Sequence, residues 1–143
     1  MTTAPAYALH ALVHRLDKAA DAILDAEMGL TYRRYLTLLT LQRLAAEGPV
    51  TQRHLAAELD ISEPVASRSI ATLRDAGWVE VTTTPGLGNR RSLALTSAGE
   101  KAVERASGVL EEAFAQLMKA AGVTARHIHA ITDPLLSALE GAS

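Results

Sequence analysis

Cysteine is absent from this chain of 143 residues. Its absence excludes disulfides, thiolate metal sites, thiol nucleophiles and cysteine-based redox sensing. Aromatic residues are scarce, 3% against 48% hydrophobic residues overall, so the core is expected to be Leu, Ala and Val packed between helices. No apolar run reaches the ~18 residues a membrane span needs. Residues 1–5 carry no basic region followed by an apolar block, so no signal peptide is expected and a cytoplasmic location is the default. Charge of one sign is lacking too. The formal net charge is −2, and in residues 51–95 Arg53, Arg68, Arg74, Arg90 and Arg91 are matched by Glu58, Asp60, Glu63, Asp75 and Glu80. Bulk charge therefore does not announce a nucleic-acid ligand, and the placement of the arginines has to decide. Enzyme signatures are missing as well. There is no His-Glu-x-x-His, and Gly86 and Gly88 fall in a hairpin rather than in a nucleotide loop ahead of a helix. Neither catalysis nor a cofactor is expected.

What is present is best read from residues 62–77. Ser62 is a good N-cap, Glu63 places a negative charge at the positive end of the helix dipole, and Pro64 sits in the first turn where its missing N–H costs little. Gly77 is the expected stop. At about 100° per residue, Ala66, Ile70 and Leu73 form one apolar stripe flanked by Ser69. Pro64, Arg68, Ala71 and Asp75 lie opposite, with Val65, Ser67 and Thr72 at the margins. A helix held by one face, with a small-sided outer face carrying an arginine, suits insertion into a DNA major groove.

The flanking segments give this helix a context. Residues 6–28 form an amphipathic helix with Leu9, Leu12, Val13, Leu16, Ala20, Ile23 and Leu24 on one face. Glu27 continues that stripe, which the pattern does not explain. His10, His14, Asp17, Asp21 and Asp25 lie opposite. Thr31 starts a second helix, apolar nearly all round and running to about Glu47, and Gly48-Pro49 stops it. Thr51 caps a short helix over 52–59, and Asp60-Ile61 leads into residues 62–77, which makes a helix-turn-helix. Residues 78–84 alternate and are β-branched, 85–91 are a Gly-rich turn ending in two arginines, and 92–95 return. A hairpin in that place is a wing. Thr96 or Ser97 caps a long helix, and Ser97-x-x-Glu100 matches a capping box. Val103, Ala106, Leu110, Ala113, Leu117 and Ala120 repeat with a 3.5 period, as in helices packed along one another. Gly122 ends it, and Thr124 begins a last segment with Ile128, Ile131, Leu135 and Leu139 facing inward. Pro134 is expected to kink or break that segment, with Asp133 capping the restart.

The expected fold is therefore mainly α with a small β-hairpin wing. It reads as one domain over 1–143, with a dimerisation helix in 1–30, the winged helix-turn-helix in 31–95 and dimerisation helices in 96–143. The terminal helices have apolar faces that the winged unit cannot cover, and a two-fold homodimer is the simplest closed solution.

Taken together, Gly29-Leu30-Thr31, Leu55-Ala56-x-x-Leu59, Ile61-Ser62-x-Pro64-Val65-x-Ser67-Arg68, Leu73-x-x-x-Gly77-Trp78-Val79, Asn89-Arg90-Arg91 and Leu95-Thr96-x-x-Gly99 resemble the MarR family of bacterial winged helix-turn-helix regulators. The resemblance implies a homodimer on a pseudo-palindromic operator, most often a repressor released by a ligand. Carried over by position, Arg53, Ser62, Pro64, Val65, Ser67, Arg68 and Thr72 approach base edges or phosphates, and Asn89, Arg90 and Arg91 belong to the wing. The family usually has Asp where this chain has Asn89, an acid that braces the wing. Many relatives bind aromatic or phenolic anions beside the winged unit, which points to Arg15, Tyr32 and Tyr35 as effector contacts, or for all three, and above all the tyrosines, to core or interface packing. Two other readings stand beside this one. His10 and His14, at i and i+4, have the spacing of a metal pair and suggest a metal-responsive regulator, against a plain polar stripe. Alternatively, the chain is a dimeric interaction module that has lost DNA binding.

Overall fold

The computed structural model describes residues 4–83 and 91–142. Helix α1 (Pro5–Met28) ends at Gly29, whose φ of 63° gives the left-handed turn that glycine accepts without a Cβ penalty. Three threonine or serine caps then fix the starts of the next helices. Thr31 accepts the Arg34 N–H at 3.1 Å and opens α2 (Tyr32–Ala45). Thr51 accepts the His54 N–H at 3.1 Å and opens α3 (Gln52–Leu59). Ser62 accepts the Val65 N–H at 3.4 Å and opens α4 (Glu63–Asp75). Between α3 and α4 the chain turns at Asp60, which takes the left-handed conformation (φ 54°) that Asp tolerates better than most residues. The Ile61 N–H donates to the Ala56 carbonyl at 3.0 Å and tightens that turn. Ala66, Ile70 and Leu73, the stripe read from the sequence, are buried.

Strands β1 (Val79–Thr83) and β2 (Arg91–Leu95) pair antiparallel, from Val79 opposite Leu95 to Thr83 opposite Arg91. A third line of sheet was not evident in the pattern. Buried Val50 bridges to Leu93, whose N–H donates to the Val50 carbonyl at 2.7 Å. This one-residue bridge fastens the start of α3 to the hairpin.

Helix α5 (Ser97–Ala121) starts one residue earlier than the capping-box pattern places it. Thr96 Oγ1 accepts the Gly99 N–H at 3.0 Å and donates to the Gly77 carbonyl at 2.6 Å. Thr96 is therefore the cap, Ser97 is the first helical residue, and the box from Ser97 to Glu100 does not form. The Thr96 N–H also donates to the Trp78 carbonyl at 3.1 Å. That brings α5 so close to the chain entering β1 that a Cβ on Gly99 would overlap the Trp78 carbonyl oxygen.

Helix α6 (Ala125–Gly141) opens with a reciprocal cap: Thr124 Oγ1 accepts the His127 N–H and His127 Nδ1 accepts the Thr124 N–H. The expected break at Pro134 does not occur, and the helix runs through it. Proline removes one N–H, and the carbonyl it orphans, that of Ala130, belongs to an exposed residue and can turn to water. Asp133 caps no restart, and its carboxylate lies 3.4 Å from His129 Nδ1.

The chain divides into two compact units, residues 1–108 and 109–143. The first has a core of fully buried Leu24, Leu30, Leu38, Leu41, Val50, Leu55 and Leu73. Within it the Asp21 carboxylate accepts the Tyr32 N–H at 2.7 Å and ties α1 to α2. Glu27 also finds its reason there: Arg105 donates to its carbonyl at 3.1 Å and lies 3.6 Å from its carboxylate. In the second unit Ile131, Leu135 and Leu139, expected to face inward, are exposed in the single chain, as are Leu9, Leu12 and Val13 of α1. Among the described residues no helix is long and apolar enough to cross a membrane.

Candidate nucleic-acid interface

With Ala66, Ile70 and Leu73 buried, α4 turns Pro64, Arg68 and Asp75 outward, all three exposed. A concave surface flanks this outer face on each side. The first, about 620 Å³, lies between α3, α4 and the hairpin. Arg53 from the start of α3, Ser67 and Arg74 from α4, and Arg91 from β2 converge on it, beside Thr51 and Gln52. Among the described residues no acid lines it. The second, about 720 Å³, lies between α1, the start of α2 and α4. Lys18, Arg33, Arg34 and Arg68 line it together with Val65 and Thr72, and here Asp21 and Asp25 are present.

The electrostatics follow from this placement. Seven of the fourteen Lys and Arg residues border α4 on these two surfaces, against two of the sixteen Asp and Glu residues. Among the described residues the ion pairs of arginine are Arg43 with Glu58 and Arg105 with Glu27, both away from the clefts. Among the described residues no cleft cation is ion-paired, so a phosphate entering the first cleft meets guanidinium groups with no acid beside them, and in the second meets Asp21 and Asp25 as well.

The sequence-predicted residues fall into groups. Arg53, Ser67 and Arg91 come together in the first cleft, and Val65, Arg68 and Thr72 in the second. Ser62 and Pro64 are exposed at the helix start, with the Ser62 hydroxyl engaged as the cap. The Thr72 hydroxyl donates to the Arg68 carbonyl at 3.1 Å, which leaves its lone pairs available. Asn89 and Arg90 lie outside the described residues. Among the cleft residues that were missed are Gln52 and the cations Arg74, Lys18, Arg33 and Arg34. Arg74 was legible, because it follows Ser67 by two helical turns and shares its side. Arg33 and Arg34 also left a signal. Two arginines in the first turn of a helix sit at the positive end of its dipole, so they do not serve the helix itself.

The remaining candidates are not gathered into one site. Arg15 is exposed on α1, and among the described residues no hydrogen bond or ion pair joins it to either tyrosine. Tyr35 is buried, with its hydroxyl hydrogen-bonded to Ser107 at 2.7 Å. Tyr32 is half-buried, its ring centroid 6.0 Å from that of Tyr35. Burial, then the negative charge of Asp17, then Tyr35 push the Tyr32 phenol above its ordinary pKa. His10 and His14 are exposed, and no group of three or more metal-ligating side chains forms among the described residues.

Comparison with known proteins shows what this geometry is similar to. Residues 28–88 match the model of the MarR family. No curated protein sequence matches the chain. Solved structures match throughout its length. MepR, a transcription regulator of the Staphylococcus aureus multidrug efflux pump MepA, is 19% identical with a TM-score of 0.76, over 99% of this chain and 100% of MepR. MepR solved in complex with DNA matches with the same identity and TM-score over 98% and 97% of the two chains. The apo form of MarR from E. coli is 20% identical with a TM-score of 0.77, over 97% and 99%. Residues 28–88 thus match the MarR family model, and the chain as a whole takes the winged-helix fold of MepR and MarR.

Proposed function

We propose that this protein is a transcription regulator that binds double-stranded DNA as a homodimer, on a pseudo-palindromic operator, and represses until a ligand releases it. The observation that carries DNA binding is the gathering of seven cations, none ion-paired among the described residues, on the two sides of α4 in a chain of net charge −2. In this reading α4 enters the major groove, Arg68 and Pro64 face base edges, and Arg53 and Arg91 take phosphates. An arginine on a guanine edge discriminates by ~1–3 kcal/mol. The solved complex of MepR with DNA supports the same use of the fold.

The homodimer is supported by the exposed apolar residues of α1 and α6, Leu9, Leu12, Val13, Ile131, Leu135 and Leu139, which a second copy would cover. Two α4 helices then reach successive grooves when they stand about 34 Å apart. The effector is a small aromatic or phenolic anion, for which Arg15 is exposed and Tyr32 half-buried, whereas Tyr35 is held by Ser107. Such a ligand lowers operator affinity by as much as it prefers another spacing of the two helices.

The test is a footprint on the DNA upstream of the protein's own gene, followed by anisotropy titrations over a range of salt. Arg91→Ala is expected to weaken binding and to lower the slope of log K against log salt by no more than about one unit per protomer. A variant with unchanged affinity and slope refutes the assignment of Arg91. Failure of the protein to select any sequence from a random pool refutes specific DNA recognition.

A further inference from the structure

Resting on the reading of α4 as the groove-entering helix, the geometry points to a second phosphate seat, built by Arg33 and Arg34 on the side of α4 away from the hairpin. The two strands of a duplex wall the major groove on both sides. A helix lying in the groove therefore turns one shoulder to each backbone. Ser67 and Arg74 mark the shoulder toward α3 and the hairpin, while Val65 and Thr72 mark the opposite one. Arg91 lies on the first. On the other shoulder the cations come from the start of α2 and from Lys18 of α1.

Arg33 and Arg34 are placed for this and for little else. Neither guanidinium has an ion pair or hydrogen bond among the described residues. Their backbone does the structural work of the turn, since Arg34 N–H donates to Thr31 Oγ1 and Thr37 Oγ1 donates to the Arg33 carbonyl. Their charges oppose the dipole of their own helix, and an anion near that end would relieve the conflict. The acids of the same cleft set its strength. Asp21 is committed to the Tyr32 N–H, whereas the Asp25 carboxylate has no hydrogen bond or ion pair among the described residues and repels a phosphate approaching the arginines. Arg33 and Arg34 thus grip the strand opposite the one held by Arg53 and Arg91, and Asp25 weakens that grip.

The experiment measures anisotropy of the full-length protein on a mixed-sequence duplex of about three helical turns, over a range of salt. The double variant R33Q/R34Q is expected to lower the slope of log K against log salt by up to about two units per protomer. It is expected to weaken binding equally on a selected operator and on unrelated DNA, because phosphate contacts carry no sequence information. D25N is expected to do the reverse, raising affinity at low salt several-fold, an effect that a folding defect cannot mimic. If R33Q/R34Q and D25N both keep the wild-type slope and affinity while R53Q lowers them, the second seat is refuted and DNA binding stands. If the wild-type protein binds no duplex at low salt, both fall together.

Discussion

Replacing Gly99 with alanine tests how α5 is joined to the hairpin. Gly99 is buried in the first turn of α5, and an added Cβ would overlap the Trp78 carbonyl oxygen and stand 3.0 Å from its carbonyl carbon. Both obstacles are backbone, so neither can swing aside as a side chain would. Relief requires α5 to back away from the chain entering β1, which stretches the Thr96 N–H bond to the same Trp78 carbonyl and the Thr96 hydroxyl bond to Gly77. Overpacking of this kind costs ~1–3 kcal/mol, and a weakened hydrogen bond ~0.5–1.5 kcal/mol. Alanine returns ~0.5–1 kcal/mol through its better helix propensity. The net expectation is a loss of ~2 kcal/mol, which in a chain of this size lowers the melting temperature by ~4–8 °C. Gly108 supplies the control. It lies in the same helix, has an ordinary φ, and a Cβ added there would meet nothing within 4 Å. Gly108→Ala should therefore stabilise by ~0.4–1 kcal/mol. Thermal melts by circular dichroism read both, and the emission of Trp78, the single tryptophan, reports the contact itself. A Gly99→Ala protein that melts at or above the wild-type temperature would refute the account.

Three further outcomes follow from the geometry. Arg74→Gln is expected to lower the salt slope of DNA binding by about one unit per protomer while leaving base preference unchanged, and an altered preference with an unchanged slope would contradict its place in the first cleft. Tyr35→Phe leaves Ser107 Oγ without its 2.7 Å partner and is expected to cost about 1 kcal/mol in urea unfolding, with Ser107→Ala adding little on top of it. Tyr32 makes stability sensitive to alkali: its pKa is raised from the ordinary 10.0, so the folded state favours the neutral phenol. That contribution is full below pH ~10 and is lost as pH rises through the higher folded value, so the fall in melting temperature above about pH 10 should be shallower in Tyr32→Phe than in the wild type.

Legibility in the sequence divided along the range of the interaction. The starts of α2, α3 and α4 were readable because Thr31, Thr51 and Ser62 bond within three residues of themselves. The buried stripe of α4 was readable because period alone sets it. What escaped depends on partners distant in sequence. Val50 looks like a connection until Leu93 comes beside it. Thr96 and Ser97 are equal candidates for a cap until the Gly77 carbonyl selects Thr96. Glu27 looks misplaced on an apolar stripe until Arg105 arrives from α5. Of the candidate interface, the contributions of α3, α4 and β2 were visible as motifs. Arg33 and Arg34 left only the local signal of two cations at a helix start, and Lys18 none, since only folding carries the three to the side of α4.

The same distinction explains why the net charge misleads. Screening at physiological salt confines an exposed charge to about 8 Å, so acids elsewhere on the surface cannot cancel the cations around α4. A phosphate meets Arg53, Arg74 and Arg91 on a surface with no acid among the described residues of its lining, whatever Glu104 contributes to the total. Affinity for DNA should then respond strongly to changes within the two clefts and hardly at all to neutralisation of distant acids. Asp25 is the informative exception, because it is an acid inside a cleft rather than far from one. If charge acts by placement, Asp25→Asn tightens DNA binding while Glu104→Gln, at an exposed acid that lines neither cleft, leaves it unchanged, although the two substitutions alter the net charge equally.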